Sequence, residues 1–155
     1  MDRTSSSSGL IQQYLDHNAF TQLLGFEFYL LEPGVVSYSL IVNKKHLATP
    51  GFMHGGVVTT LLDATMGAGA MTLVADEWKV VSTIEMHVNF LRPSLVGQRI
   101  MAQSELVRKG QNVIFMRATL FNEDNVKLGG LHAWRCSNHL IGRYHGRRCD
   151  DARGR

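Results

Sequence analysis

Cysteine is scarce in this chain: Cys136 and Cys149 are the only two among 155 residues. Two thiols do not make a disulfide framework, and such usage points to a reducing compartment, the cytoplasm. No apolar run is long enough to cross a membrane, so a membrane partner is not expected. The stretch MDRTSSSSG, residues 1–9, lacks the apolar core of a secretory signal and is expected to be a flexible polar leader. A strong excess of one charge is missing too. The net +3 resides in residues 143–155, where five arginines outnumber two aspartates. The body is therefore neutral, which argues against a nucleic-acid partner. Residues 138–155 read as a basic, disordered tail.

Against this background one segment stands out, HGGVVTTLLDATMGAGAMTLV at 54–74. It sets Asp63 in an almost wholly apolar stretch just after a His-Gly-Gly turn. A lone carboxylate in apolar surroundings is costly, so it asks for a function. Residues from Gly56 to Ala75 are expected to form a helix, because they contain no proline and abound in Leu, Ala and Met. Apolar residues on every side make this helix buried all round, and the wrapping element is then a sheet. His54, Gly55 and Gly56 fall at its start, where unpaired backbone N–H groups and the positive end of the dipole suit an anion or a developing oxyanion. A tight loop entering a helix explains the tripeptide equally well. Asp63 on the same helix shifts the balance toward an acyl-transfer or hydrolysis site.

The remaining pattern gives a single domain at 10–137. Residues 10–24 have near-helical apolar spacing, stopped by Gly25. Residues 35–43 alternate as a strand, and 80–91 alternate apolar Val80, Ile84, Met86, Val88 and Phe90 with polar Thr83, Glu85, His87 and Asn89 until Pro93. Three more strands are expected at about 98–108, 112–122 and 126–136, and the last four would form an antiparallel meander. The fold class is α+β, a long curved antiparallel sheet wrapped around a central buried helix.

With these elements in order, HGGVVTTLLDATMG (54–67) and VNFLRPSLVG (88–97) resemble the corresponding segments of hotdog-fold thioesterases of the phenylacetate-degradation type, within the 4-hydroxybenzoyl-CoA thioesterase superfamily. The resemblance covers roughly residues 10–137. It implies the hotdog fold and a hydrolase acting on an acyl-CoA substrate without cofactor or metal. Residue by residue it makes Asp63 the general base or nucleophile, sets the thioester carbonyl on the N–H of Gly55, and places Thr83 beside Asp63 to hold the attacking water. His54 would help orient the substrate. Gly56, Leu62, Met66 and Arg92 are the expected substrate-binding residues, with Met71 beside them along an acyl tunnel. Many relatives carry an asparagine near the position of Ala48; here only the hydroxyl of Thr49 is at hand to replace it.

Gly55 and Asp63 are eight residues apart, about 12 Å along a helix, too far to serve one carbonyl carbon about 3 Å from each. Two chains are thus expected to share each site, as the resemblance also implies, in a homodimer that pairs further into a tetramer. His132, Cys136 and His139 have a spacing reminiscent of a metal site but straddle a strand end, without a fourth ligand. Arg108 and Lys109, like Arg92, are candidates for the phosphates of coenzyme A. The leading function is hydrolysis of a medium-chain or aromatic acyl-CoA. A non-catalytic acyl-CoA-binding protein and a hotdog dehydratase or hydratase are the alternatives.

Overall fold

The computed structural model describes residues 4–140 other than Trp78, and only the backbone of residues 4–8, 10 and 131–140. Its elements are α1 (Thr4–His17), α2 (Ala19–Leu24), β1 (Glu27–Glu32), β2 (Val35–Ile41), β3 (Leu47–Thr49), β4 (Phe52–Met53), α3 (Gly55–Thr72), β5 (Lys79–Phe90), β6 (Arg99–Lys109), β7 (Val113–Asn122) and β8 (Lys127–Leu140). Short 3-10 turns lie at Lys44–His46 and Ala75–Glu77. Six strands form one antiparallel sheet in the order β1-β2-β6-β7-β8-β5, curled around α3, and β3 pairs with β4 beside it.

The period of two along β2, β6 and β7 turns one set of side chains toward the helix. Val36, Tyr38 and Leu40, Ile100 and Ala102, and Ile114, Met116, Ala118 and Leu120 pack against Leu61, Leu62 and Met66 of α3. Each large aliphatic side chain removed from water in this way contributes about 1.5–3 kcal/mol. The helix lies close against the sheet at Gly69, where a Cβ would stand 2.6 Å from Ser104 Oγ and 3.1 Å from the Gly34 carbonyl oxygen. Ser104 Oγ itself accepts the Val36 N–H at 2.9 Å. The end of α3 is tied down by Thr72, whose hydroxyl donates to Gly69 O at 2.6 Å and accepts the Gly34 N–H at 2.7 Å.

Several elements differ from expectation. The helix expected over 10–24 is two helices, because the Asn18 side chain accepts the Thr21 N–H and starts α2 anew; Gly25 ends it in the left-handed region at φ 76°. α1 begins at Thr4, inside the stretch expected as a flexible leader, and β8 runs to Leu140, beyond the expected start of the tail; residues 141–155 lie outside the described ones. α3 ends at Thr72 rather than Ala75. The hairpin of β1 and β2 was not anticipated, although Pro33-Gly34, with Gly34 at φ 86°, is a turn signal. The four-strand meander is corrected as well. Of these four strands only β6, β7 and β8 follow one another in space; β5 pairs with β8 at the far edge, so the chain between β5 and β6 passes over β8 and β7 to enter the sheet beside β2.

Candidate active site

β5 carries Thr83 to the central helix, and an irregularity in the strand makes this possible. Thr83 pairs with Cys136 and Glu85 with Arg135, which leaves Ile84 as an extra residue on β5. Strict alternation would group Thr83 with the polar face and Met86 and Val88 with the apolar one. The bulge shifts the phase, so that Val81, Met86 and Val88 all pack on the core while Thr83 Oγ1 donates to Asp63 Oδ1 at 2.8 Å. Ile84 is left exposed.

Asp63 is half-buried on α3, in line with Gly56, Thr59, Thr60 and Gly67, the side of the helix that the sheet leaves accessible. Thr59 and Thr60 return their hydroxyls to the carbonyl oxygens of Gly55 and Gly56, at 3.0 and 2.9 Å. One turn beyond Asp63, a Cβ at Gly67 would lie 3.9 Å from Tyr14 Oη of α1. Burial raises the pKa of Tyr14, and the nearby Asp63 carboxylate adds to the rise. Sequence reasoning assigned Tyr14 to a helix face only; no local signal tied it to Asp63.

The His-Gly-Gly turn is built around one hydrogen bond. His54 is the N-cap of α3, and its Nδ1 accepts the Gly56 N–H at 2.8 Å, which assigns the ring proton to Nε2. A Cβ at Gly56 would stand 2.9 Å from that same Nδ1, so glycine is what lets the ring sit over the helix start. The His54 N–H donates to His46 O at 2.8 Å. His46 is fully buried between Leu24 O, 2.8 Å from its Nε2, and the Asn43 N–H, 3.1 Å from its Nδ1; burial lowers its pKa. Among the described residues nothing accepts the N–H of Gly55, the first residue of α3. It borders a cavity of about 250 Å3 lined by Met53, Val58, Phe90, Arg92 and Ser94 among others.

Arg92 thus lies at this cavity, with its guanidinium donating to Lys127 O at 2.8 Å. Leu62 and Met66 do not line an open tunnel: both are fully buried in the core, on the side of α3 turned to the sheet, and Met71 is buried as well. An apolar helix all round offers no pattern to tell those sides apart. Lys109 is engaged at the other end of α3, with Leu73 O at 2.8 Å and Glu77 at 3.0 Å. Ala48 and Thr49 are exposed on β3. The side chains of His132, Cys136 and His139 lie outside the described residues, among which no cluster of three metal-ligating side chains occurs. No helix among them is long and apolar enough to cross a membrane.

A carboxylate hydrogen-bonded to a hydroxyl on an accessible helix side and an unpaired N–H at the start of that helix are groups that a hydrolysis can use, and the sheet curled around the helix is the hotdog fold. Residues 50–128 match the Thioesterase superfamily, and the chain belongs to that family. It is 28% identical over 138 residues to the medium/long-chain acyl-CoA thioesterase YigI of Salmonella typhimurium, covering 79% of this chain and 87% of that protein. Among solved structures it is similar to a thioesterase family protein from Silicibacter pomeroyi, with TM-score 0.79, 26% identity, and 88% and 99% of the two chains covered. The E. coli PaaI protein of the phenylacetic acid degradation operon shares the fold, with TM-score 0.77, 16% identity and coverage of 91% and 97%.

Proposed function

We propose that this protein is an acyl-CoA thioesterase that hydrolyses a medium-chain or aromatic acyl-CoA to the free acid and coenzyme A. The observation that carries the proposal is the 2.8 Å hydrogen bond from Thr83 to Asp63 on the accessible side of α3. Asp63 takes a proton from a water that the Thr83 oxygen helps to hold, and the hydroxide attacks the thioester carbon. The oxyanion so formed is met by the Gly55 N–H at the positive end of the helix, and the thiolate departs without further assistance. No metal takes part in this scheme. The name of YigI supports the acyl-CoA substrate class.

Each site is shared between two copies of the chain. Gly55 and Asp63 lie about 12 Å apart along α3 by its rise per residue, so one carbonyl reaches both only if they come from different protomers. β5 offers the contact surface: it is a sheet edge of 12 residues with exposed Val80, Ile84 and Phe90. Such an edge calls for a partner. A homodimer, joined in pairs to a tetramer and working in the cytoplasm, fits this edge and the two-cysteine composition. Incubation with a panel of acyl-CoAs and a thiol reagent tests the activity. Release of free thiol with turnover is expected; saturable binding without thiol release would mark a non-catalytic binder.

A further inference from the structure

Two buried hydroxyls have no hydrogen-bond partner among the described residues, Tyr38 Oη and Ser94 Oγ. Their surroundings differ. Tyr38 stands in the core against the rings of Phe28 and Phe26, at centroid separations of 5.2 and 6.0 Å. Ser94, only 4% exposed, lines the cavity at the start of α3 together with Gly55, Phe90 and Arg92. A buried hydroxyl without a partner has lost its water and gained nothing, so its presence beside a cavity asks for a ligand that pairs with it.

The backbone fixes Ser94 in this position. Its carbonyl accepts the Met53 N–H at 2.9 Å, and the next residue, Leu95, bridges to Phe52. β4 pairs in turn with β3, which holds Ala48. Ser94 therefore stands alongside the residues that lead into Gly55. A hydroxyl both donates and accepts, as does the amide of a pantetheine-type arm.

We propose that Ser94 is a positioning residue for the substrate, whose hydroxyl turns into this cavity and pairs with an amide of the arm that carries the thioester. This rests on the acyl-CoA reading given above. The free protein has no hydrogen bond at Ser94 Oγ to give up, so the new one strengthens bound substrate and transition state alike. Its effect falls on KM and not on kcat.

The test is Ser94→Ala in the full chain, read by steady-state kinetics, by calorimetric titration with free coenzyme A, and by thermal unfolding. KM and the Kd for coenzyme A are expected to rise about 3- to 10-fold with kcat retained and Tm unchanged or slightly higher. With a simple alkyl thioester that has no amide, the variant should match the wild type. Equal coenzyme A affinity in the two proteins overturns the proposal, although thiol release by the wild type would leave the proposed function standing. A lower Tm with unchanged affinity means that a protein group holds the hydroxyl, and overturns it too. A loss confined to kcat assigns Ser94 to the reacting carbonyl instead and equally overturns it. If the wild type neither binds coenzyme A nor releases thiol, the functional reading has failed, and this proposal falls with it.

Discussion

Thr83 Oγ1 stands 2.8 Å from Asp63 Oδ1, and this hydrogen bond ties the edge strand of the sheet to its central helix. Both residues reach it for structural reasons: Asp63 from the accessible side of α3, and Thr83 because the extra residue Ile84 turns the strand in phase. A bulge beside a carboxylate is a device that aims a side chain.

Replacement of Asp63 by Asn preserves shape but removes the proton acceptor. Asp63→Asn should fold normally by circular dichroism and lose roughly 10²-fold or more in kcat. Near-native turnover by the folded variant would remove Asp63 from the chemistry.

In the proposed mechanism Thr83 orients rather than activates, so its loss should be milder. Thr83→Ala is expected to lower kcat about tenfold and Thr83→Ser to keep most of it, because the hydroxyl remains. Kinetics of the pair decide the matter: equal behaviour of Ala and Ser makes the hydroxyl irrelevant.

Much of this was legible in the residues. The long apolar helix, the carboxylate on it and the His-Gly-Gly start are all visible in 54–74, and periodicity located most strands to within a few residues. Other features were not. The phase shift at Ile84 follows from pairing with β8, which no local pattern encodes. The crossing from β5 to β6 depends on which strands meet across the sheet, and alternation alone is silent on order. Leu62 and Met66 were assigned to a tunnel yet lie in the core, since a helix apolar on every side does not declare its orientation.

Gly56 has a sharper role than the sequence suggested. Its N–H caps onto His54, and a Cβ there would press within 2.9 Å of the His54 ring. Gly56→Ala should expel the ring and cost about 0.5–2 kcal/mol of stability for the lost cap. Urea denaturation measures this directly; an unchanged midpoint would show that the cap does not hold the helix start.

His46 makes the fold acid-sensitive. Burial keeps its pKa below the ordinary value of 6.5, so below that pH the unfolded chain takes up a proton that the folded chain refuses. The unfolded state then binds more protons, and stability rises with pH. The contribution is present above about pH 6.5 and is lost as pH falls from there toward the folded pKa. Because His46 O also holds the His54 N–H, the start of α3 loosens with it. Denaturation at pH 7.5 and 5.5 should show this loss in the wild type and a smaller one in His46→Gln; identical pH dependence would contradict the assignment.

The central claim is a site built from Asp63 and Thr83 of one protomer and Gly55 of another. Gly55→Pro removes just the donor in question: Gly55 opens α3, where proline is well tolerated, and His54 already has the extended backbone (φ −67°, ψ 133°) that precedes a proline. Steady-state activity should be measured after subunit exchange between Asp63→Asn and Gly55→Pro proteins, each nearly inactive alone. Random exchange makes about half of the dimers mixed, each with one intact site of two, so roughly a quarter of wild-type activity should return. Activity that stays at the level of the parents, with exchange demonstrated, would place the whole site within one chain.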